Sequence, residues 1–451
     1  MLIKQNYNSG LKEQLQNTKT NSGISLDRVA VIILGGGEGK RLAPLTNFRC
    51  KPAITFGGRY SLIDVPISHS ISSGLNKIFI IGQYLAYSLQ KHLFQTYLNY
   101  GSAQNQIQFL VPEERKGERI WYKGTADAVR KNLEYFSEVQ ADYFLILSGD
   151  QLYNINFQEM IRYGMELDAS MLIAAQPVGE KDAKRMGVMK IQKGSSHVVE
   201  FCEKPQEQAI LDHFKTDEKT LESLGSSLVD QRSILGSMGI YFFKKRALFD
   251  LLHEDSREDF GKHLIRTEMK RGNVHAFIYD GYWEDIGTIE SYYQANLLLT
   301  HQCKDNRKGL QCYNESNQLI TKSYNLPGAQ ISKCKINEAL ICEGSVVESD
   351  EITQSVIGVR SILHQGSMIR NSILMGNSSY GSINEARLYG IGENTLISKA
   401  IIDENVTIGK GVRLVNQNDY IDFDSSDGII HVREGITIVP RGTYIPDYYS
   451  F

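Results

Sequence analysis

A glycine-rich loop with two basic residues close behind it is the first feature of the sequence that could perform chemistry. The apolar segment 29–34 leads directly into three glycines, Gly35, Gly36 and Gly37. Such a turn exposes backbone N–H groups to phosphate oxygens, and Arg41 and Lys51 supply the positive charge that a triphosphate needs. Two common alternatives fail, because a P-loop requires glycine where Leu34 stands and a Rossmann fingerprint requires it where Lys40 stands.

One aspartate lies where a carboxylate could bind a cation. Asp150 comes within three residues of the apolar segment 143–147, where a ligand at the end of a strand would lie. Carboxylates are ligands that Mg²⁺ prefers, although a lone aspartate at a strand end is more often a turn former. The residues alone leave both interpretations open.

The elements that must position these residues are short apolar strands separated by amphipathic helices. The strand candidates are residues 29–34, 77–81, 143–147 and 170–174. Among the helical patterns between them, residues 126–136 are clear, with Thr125 placed to be the N-cap. Continuous apolar strands that alternate with helices predict a largely parallel sheet covered on both faces. Such a sheet binds ligands at the carboxyl ends of its strands.

A different period begins after about residue 330. Aliphatic residues recur at intervals of six in two runs, the first at Ile357, Leu363 and Ile369 and the second, with one shorter step, at Ile391, Ile397, Ile402, Ile408 and Leu414. Hexapeptide periodicity is the signature of a parallel β-helix, in which each side of a coil gives one aliphatic residue to a central stack. The alternative is a β-sandwich with accidental spacing.

The length of the chain indicates two domains. Its 451 residues exceed one ordinary domain, and 41% hydrophobic and 22% charged residues are typical of a globular protein. We expect a flexible polar tail over residues 1–27, an α/β domain over 28–300, a linker over 301–330 and a β-helix domain over 331–451.

Charge and composition exclude several classes of partner. The net charge of −3 gives no general attraction to nucleic acid, and the apolar run near the start is far too short to cross a bilayer. The tail lacks the apolar core of a signal peptide. The six cysteines form no CxxC pair, which favours reduced thiols. We therefore expect a cytoplasmic protein without nucleic-acid or membrane partners.

Longer motifs then follow one another in a recognisable order. They are GGGEGKRLAPLT at 35–46, RCKPA at 49–53, WYKGTADAV at 121–129, SGD at 148–150, FCEKP at 201–205, SMGIY at 237–241, DFG at 259–261 and GYWEDIGT at 281–288. Together they resemble the sugar-1-phosphate nucleotidyltransferases, and among these the plant and cyanobacterial ADP-glucose pyrophosphorylases. The resemblance covers nearly the whole chain from about residue 28. It implies a Rossmann-like mixed, mostly parallel sheet followed by a left-handed parallel β-helix.

The resemblance also implies an activity and a role for individual residues. The expected reaction transfers AMP from ATP to glucose 1-phosphate and releases pyrophosphate. The implied catalytic residues are Arg41, Lys51 and Asp150. Glucose 1-phosphate would be bound by Glu203, Lys204, Ser237 and Asp285. The nucleotide would be bound by Leu34, Gly35, Gly36, Gly37, Gln83, Glu114, Tyr122, Gly124 and Thr125. Mg²⁺ would be held by Asp150 and Asp285. The resemblance further implies a homotetramer that a small effector controls.

Three departures from the family pattern leave alternatives open. Lys40 replaces the usual threonine and adds positive charge to the loop. Glu113 and Glu114 stand where relatives carry two glutamines, and an ionised glutamate only accepts hydrogen bonds, which would suit guanine better than adenine. Glu404 and Arg441 stand where the plant-type activator site has two lysines. The alternatives are the same chemistry with another base or sugar, such as GTP and mannose 1-phosphate, or a non-catalytic regulatory subunit.

Overall fold

The structure is a computed structural model. It describes residues 25–97, 106–115, 118–119, 121–226, 232–301, 307–381 and 389–451. Almost all of the predicted tail over residues 1–27 lies outside these ranges. Strands and helices alternate in the first part of the described chain, and short strands dominate the last part. No helix of the described residues is long and apolar enough to span a membrane.

A nine-stranded mixed sheet forms the framework of the first part. Strand Val29–Leu34 lies inside it, with Lys77–Ile81 and Tyr143–Ser148 parallel to it on either side. Its near-continuous aliphatic sequence fits this position, because helices cover both faces of the sheet there. Ile234–Lys244 runs antiparallel to Tyr143–Ser148 and makes the sheet mixed. The other strands are Gln106–Leu110, Met171–Val178, Gly187–Ile191, Val198–Glu203 and Val274–Ile278.

Helices and short ribbons connect these strands. The α-helices are Asp64–Ser72, Ala86–Tyr97, Thr125–Arg130, Leu133–Glu138, Phe157–Glu166, Glu180–Ala183, Gln208–His213, Glu218–Ser223, Lys245–Glu254, Ile265–Arg271 and Ile289–Leu298. The tighter or wider turns are the 3₁₀ segments Leu26–Arg28, Lys40–Leu42, Lys51–Ala53 and Glu315–Asn317 and the π-helix Phe260–Leu264. The short strand pairs are Thr55–Phe56 with Tyr60–Ser61, Glu114–Arg115 with Glu118–Arg119, and Gln151–Tyr153 with Trp283–Asp285.

The helix predicted over residues 126–136 is in fact two helices with a break between them. Asn132 turns its side-chain amide back to the carbonyl of Ala128 at 2.8 Å, a local bond that competes with the helical ladder. The predicted N-cap is also wrong, because Gly124 is the N-cap and Thr125 is the first helical residue. The Thr125 hydroxyl instead accepts the backbone N–H of Phe260 at 3.2 Å.

The last part of the chain is a parallel β-helix, as the hexapeptide spacing predicts. Its strands are Gln330–Ile331, Lys335–Ile341, Val346–Val347, Glu351–Ile357, Ile362–Leu363, Met368–Arg370, Ile373–Leu374, Gly390–Ile391, Leu396–Ser398, Ala400–Ile402, Thr407–Ile408, Arg413–Leu414, Ile436–Val439 and Tyr444–Ile445. Three stacks fill its interior: Val347, Leu363, Ile391, Ile408 and Ile445; Ile352, Ile369, Ile397 and Leu414; and Ile357, Leu374, Ile402 and Val439. All the aliphatic residues singled out in the sequence lie in these stacks, which rules out the β-sandwich.

An antiparallel ribbon interrupts the parallel β-helix near its end. Strand Phe423–Asp424 pairs with His431–Arg433, which pairs in turn with Ile436–Val439. The last of these strands returns to the parallel stack beside Ala400–Ile402. The ribbon thus leaves the coil for a short distance.

Helix Ile289–Leu298 packs between the two parts. The Tyr292 hydroxyl donates to the carbonyl oxygen of Thr55 in the first part, and the Tyr293 hydroxyl donates to that of Asn371 in the β-helix, both at 2.5 Å. Buried apolar residues of both parts form one continuous cluster around it. The β-helix therefore supports the sheet region directly.

Candidate active site

The glycine loop leaves the sheet at the carboxyl end of strand Val29–Leu34. The N–H of Gly35 still bonds to the carbonyl oxygen of Ile81 at 2.8 Å, so the chain enters the loop in a fixed position. Gly37 has open space where a side chain would be. Gly39 has a left-handed φ of 67°, and a Cβ there would lie 3.1 Å from the Cβ of Lys51. The loop therefore exposes backbone to a cavity and packs closely against the segment that carries Lys51.

Lys51 lies between two carboxylates at the base of this cavity. Its Nζ is 2.6 Å from Oδ2 of Asp150 and 3.9 Å from Oδ1 of Asp285. The two aspartates come together because the strand that follows Asp150 pairs with Trp283–Asp285, which places Asp285 opposite Gln151. Two residues that are far apart in sequence thus share one buried lysine.

The two carboxylates differ in acidity. Burial acts to raise the pKa of Asp150, but the Lys51 ammonium and the Ser148 hydroxyl outweigh it and hold that pKa below its usual range. Burial, followed by the charge of Asp150, raises the pKa of Asp285. The Asp285 side chain is 51% exposed, so water screens part of this rise. Asp150 is therefore the carboxylate that ionises more readily, and a cation near Asp285 would favour the ionised form of that second carboxylate.

Arg41 lies at the exposed rim of the same cavity. Its guanidinium faces the turn after Asp285, where a Cβ on Gly287 would stand 3.4 Å from Arg41 Nη2. A second cation is thus available on the solvent side of Lys51. A long anionic ligand that enters the cavity would therefore meet positive charge at the exposed Arg41 and again at the buried Lys51.

The opposite wall of the cavity carries Glu203, Lys204 and Ser237. Lys204 has a left-handed φ of 49°, and its N–H donates to the carbonyl of Met186 at 3.1 Å. A non-glycine residue held in this conformation is uncommon and is often found at a functional site. Lys204 Nζ lies 3.7 Å from Glu203 Oε1, and burial raises the pKa of Glu203 against that cation. The Ser237 hydroxyl accepts the N–H of Gly239 at 3.3 Å.

A third wall is the loop before helix Thr125–Arg130. Both ends of the Gln83 side-chain amide bond to the backbone of Tyr122, with Oε1 accepting its N–H at 2.6 Å and Nε2 donating to its oxygen at 3.2 Å. A Cβ on Gly124 would stand only 2.4 Å from the carbonyl oxygen of Glu258. Glycine is therefore required at this position by close backbone packing, and the helix begins directly at the cavity.

Comparison with known proteins gives a family for this arrangement. A family model described as "Nucleotidyl transferase" matches residues 30–302. The chain belongs to that nucleotidyl transferase family. A second model, described as "GLGC left-handed parallel beta-helix domain", matches residues 324–449 and agrees with the predicted handedness of the coil. The sequence is also 37% identical over 457 residues to "Glucose-1-phosphate adenylyltransferase large subunit 1, chloroplastic/amyloplastic" of Zea mays, over 97% of this chain and 86% of the relative.

Most of the residues predicted for a nucleotidyl transferase site line one cavity of about 560 Å³. They are Leu34, Gly36, Gly37, Gln83, Tyr122, Gly124, Thr125, Asp150, Glu203, Lys204, Ser237 and Asp285. Arg41 and Lys51 adjoin it through the contacts described above, and Gly35 lies at the start of the loop. The side chain of Glu114 lies outside the described residues.

The cavity of this nucleotidyl transferase also contains residues that the sequence analysis did not assign. Gln151 bonds through Nε2 to the carbonyl of Met238 at 2.9 Å, which ties the floor of the cavity to strand Ile234–Lys244. Arg185 adds a cation to the wall, and no motif surrounds it, so nothing in the sequence indicates it. Asp259 belongs to the DFG motif and could have been found from it.

The donor set is compatible with a magnesium ion that is completed by substrate. Among the described residues, no three His, Cys, Asp or Glu side chains are grouped so that they could hold a metal ion by themselves. Mg²⁺ commonly uses one or two carboxylates together with water and substrate phosphates. Asp150 and Asp285 both approach Lys51, and the charge of Asp150 adds to burial in raising the pKa of Asp285, which fits that pattern.

Proposed function

We propose that this protein transfers the AMP group of ATP to glucose 1-phosphate and releases pyrophosphate. The observation that carries the proposal is the placement of Lys51 between Asp150 and Asp285, beside the glycine loop. The similarity to a relative whose name is glucose-1-phosphate adenylyltransferase gives the substrate pair. The bond between the α-phosphorus and the bridging oxygen breaks as an oxygen of the sugar phosphate attacks, and the electron pair leaves with pyrophosphate.

The residues of the cavity neutralise and orient two polyanions in this mechanism. The glycine-loop N–H groups, Arg41 and Lys51 neutralise the β- and γ-phosphates, where charge develops as pyrophosphate departs. Lys204 holds the phosphate of the sugar, and Glu203 accepts a sugar hydroxyl. Gln83 keeps the Tyr122 backbone in place beside the nucleotide through its two hydrogen bonds.

Mg²⁺ is the cofactor that we assign to Asp150 and Asp285. When bound it supplies neutralisation of the triphosphate charge. Asp150 is ionised through Lys51 and Ser148 and is therefore ready to accept a cation. Burial and the negative charge of Asp150 raise the pKa of Asp285, and a cation bound between the two carboxylates would favour the ionised form of Asp285.

A second cavity supports the proposal that a small anionic effector controls the enzyme. It has a volume of about 320 Å³ and lies between the sheet region and the β-helix. Its basic residues are Arg49, Arg59, Lys91, Lys322, Arg360 and Arg441. Glu404 enters the same space, where it accepts the Thr55 hydroxyl at 2.5 Å and lies 3.6 Å from Arg49 and 3.5 Å from Arg441. We assign the effector site to this cavity. We also propose that the protein is a homotetramer, and light scattering after gel filtration tests this by measuring the mass of the assembly.

The proposed activity is tested by pyrophosphate release from the purified chain with Mg²⁺ and glucose 1-phosphate. ATP, GTP, UTP and dTTP are compared, with Asp150→Asn as the inactive variant and Asp168→Asn, an exposed surface change, as its matched control. Activity with ATP that Asp150→Asn abolishes supports the proposal. Preference for GTP would indicate that the change at Glu113 and Glu114 alters base choice.

Inactivity with every nucleotide would favour the regulatory-subunit alternative, since the Zea mays relative is itself named a large subunit. That alternative then requires the chain to stimulate a catalytic partner.

A further inference from the structure

The antiparallel ribbon of the β-helix ends in a turn that reaches the α/β region. Arg433 pairs with Ile436, so Glu434 and Gly435 form a two-residue turn. Both have left-handed φ angles, 54° and 74°. Turns of this type favour asparagine, aspartate and glycine, and a glutamate in this conformation is strained.

The Glu434 side chain reaches the first turn of helix Ile289–Leu298. Its Oε2 accepts the backbone N–H of Glu290 at 2.7 Å. The first N–H groups of a helix have no partner within the helix, and a negative charge there is favourable. Thr288 and Ser291 bond to each other's backbone N–H groups in a capping box. Glu434 therefore supplies this helix start with a hydrogen bond from the β-helix.

The start of that helix lies next to the proposed metal ligands. Only residues 286–288 separate Asp285 from the helix, and the N–H of Gly287 donates to the Ser291 hydroxyl at 3.1 Å. Gly287 is also the residue that faces the Arg41 guanidinium. The nearest cation to the half-exposed Asp285 carboxylate is Lys51 at 3.9 Å. The backbone, more than any side-chain bond, thus determines where Asp285 lies.

We propose that Glu434 is a positioning residue, which holds the start of helix Ile289–Leu298 so that Asp285 stays beside Asp150 in the geometry that binds a divalent cation. The inference rests on the proposed function. The ribbon can hold this position because Ile436 and Ile438, just beyond the turn, are fully buried in the core shared with Tyr292. The β-helix thereby contributes to the active site without entering it.

The test uses the full-length protein and variants matched in chemistry and place. Glu434→Ala removes the acceptor, and Glu434→Gln keeps an acceptor oxygen without the charge. Glu393→Gln changes another exposed carboxylate of the β-helix as a control. Tyr293→Phe removes the bond from the middle of the same helix to Asn371 and controls for general loosening of the interface.

Two measurements do not depend on activity. Hydrogen exchange over residues 283–288 should be faster in Glu434→Ala, less so in Glu434→Gln and unchanged in Glu393→Gln. Mn²⁺ affinity, followed by the electron paramagnetic resonance of the free ion, should weaken by about two- to fivefold in Glu434→Ala, as expected for loss of a charged group at a helix start. In an active enzyme the half-saturating Mg²⁺ concentration should rise similarly, while kcat at saturating Mg²⁺ stays near the wild-type value.

Unchanged exchange and unchanged Mn²⁺ affinity in Glu434→Ala would overturn the inference. Faster exchange with unchanged Mn²⁺ affinity would also overturn it, because Glu434 would then be a purely structural contact. An equal loss of Mn²⁺ affinity in Tyr293→Phe would show general loosening and not a local role. A wild-type protein that releases no pyrophosphate would refute the proposed function alone, since exchange and Mn²⁺ binding still decide the role of Glu434.

Discussion

Replacement of Lys51 by methionine separates its electrostatic role from its packing role. The side chain is 11% exposed, and methionine fills a similar volume without the ammonium. The change leaves Asp150 and Asp285 without the cation that they share. We expect kcat/KM to fall on the order of 10²–10³-fold, the typical cost of one lost donor to a developing negative charge.

The structure also gives the direction of an accompanying pH effect. Lys51 is the strongest influence that lowers the pKa of Asp150, and without it only the hydrogen bonds from the Ser148 hydroxyl and the backbone oppose the effect of burial. An opposite charge at this distance is typically worth about 1–3 pKa units. The acidic limb of the pH profile of kcat/KM should therefore move to higher pH by at least about one unit in Lys51→Met.

The assay is pyrophosphate release as a function of pH at several Mg²⁺ concentrations. Lys123→Met is the matched control, because Lys123 lines the same cavity, whereas the ion pairs that Asp150 and Asp285 form among the described residues are with Lys51. Its acidic limb should not move. A Lys51→Met enzyme within threefold of wild type, or one with an unmoved acidic limb, would refute the assignment of Lys51 as the cation that sets the charge of this site.

Three other changes have expected outcomes. Arg49→Met should destabilise the fold by about 3–5 kcal/mol in denaturant unfolding, because it strands the buried Asp403 carboxylate that Arg49 holds at 2.5 Å; a loss below 1 kcal/mol would contradict this. Burial raises the pKa of Glu284 to about 7, so its protonated form stabilises the fold at low pH and that contribution is lost as pH rises through about 7. The free energy of unfolding of Glu284→Gln should therefore rise relative to that of wild type by on the order of 1–3 kcal/mol as the pH goes from 5 to 8; stability curves that stay parallel over this range would contradict this role of Glu284. Glu404→Gln removes the carboxylate of the second cavity and should strengthen sulfate binding by calorimetry by about tenfold, as expected for a like charge removed near an anion; unchanged affinity would place the anion elsewhere.

The sequence predicts those parts of the molecule whose signals are local. The hexapeptide spacing identifies the residues of the interior stacks, because one aliphatic side chain must point inward on each side of a coil. The glycine loop and Asp150 are predicted for a similar reason, since each follows directly from a strand whose buried residues are contiguous in sequence.

Other features depend on contacts that no local pattern records. The helix breaks at Asn132, where the side-chain amide bonds to the carbonyl of Ala128. The presence of an asparagine does not by itself predict this break, because asparagine also occurs within continuous helices. Arg185 lies two residues after the short helix Glu180–Ala183, and its place in the cavity depends on how that part of the chain packs. The bond between Glu434 and Glu290 joins residues 144 positions apart, and its glutamate is at a turn position where the sequence pattern favours other residues.

The segment that carries Lys51 also connects the two cavities. Arg49 points to the β-helix and bonds Asp403, while Lys51, two residues later, points to the catalytic cavity and bonds Asp150. Cys50 between them is buried. A ligand of the second cavity that competes with Asp403 for Arg49 would act on a segment whose middle residue is buried. A displacement of this segment would be felt at Lys51, since a Cβ at Gly39 of the glycine loop would already stand 3.1 Å from that residue. In the proposed control from the second cavity, the route between the two sites is short, because Arg49, which bonds Asp403, and Lys51, which bonds Asp150, are two residues apart on one segment.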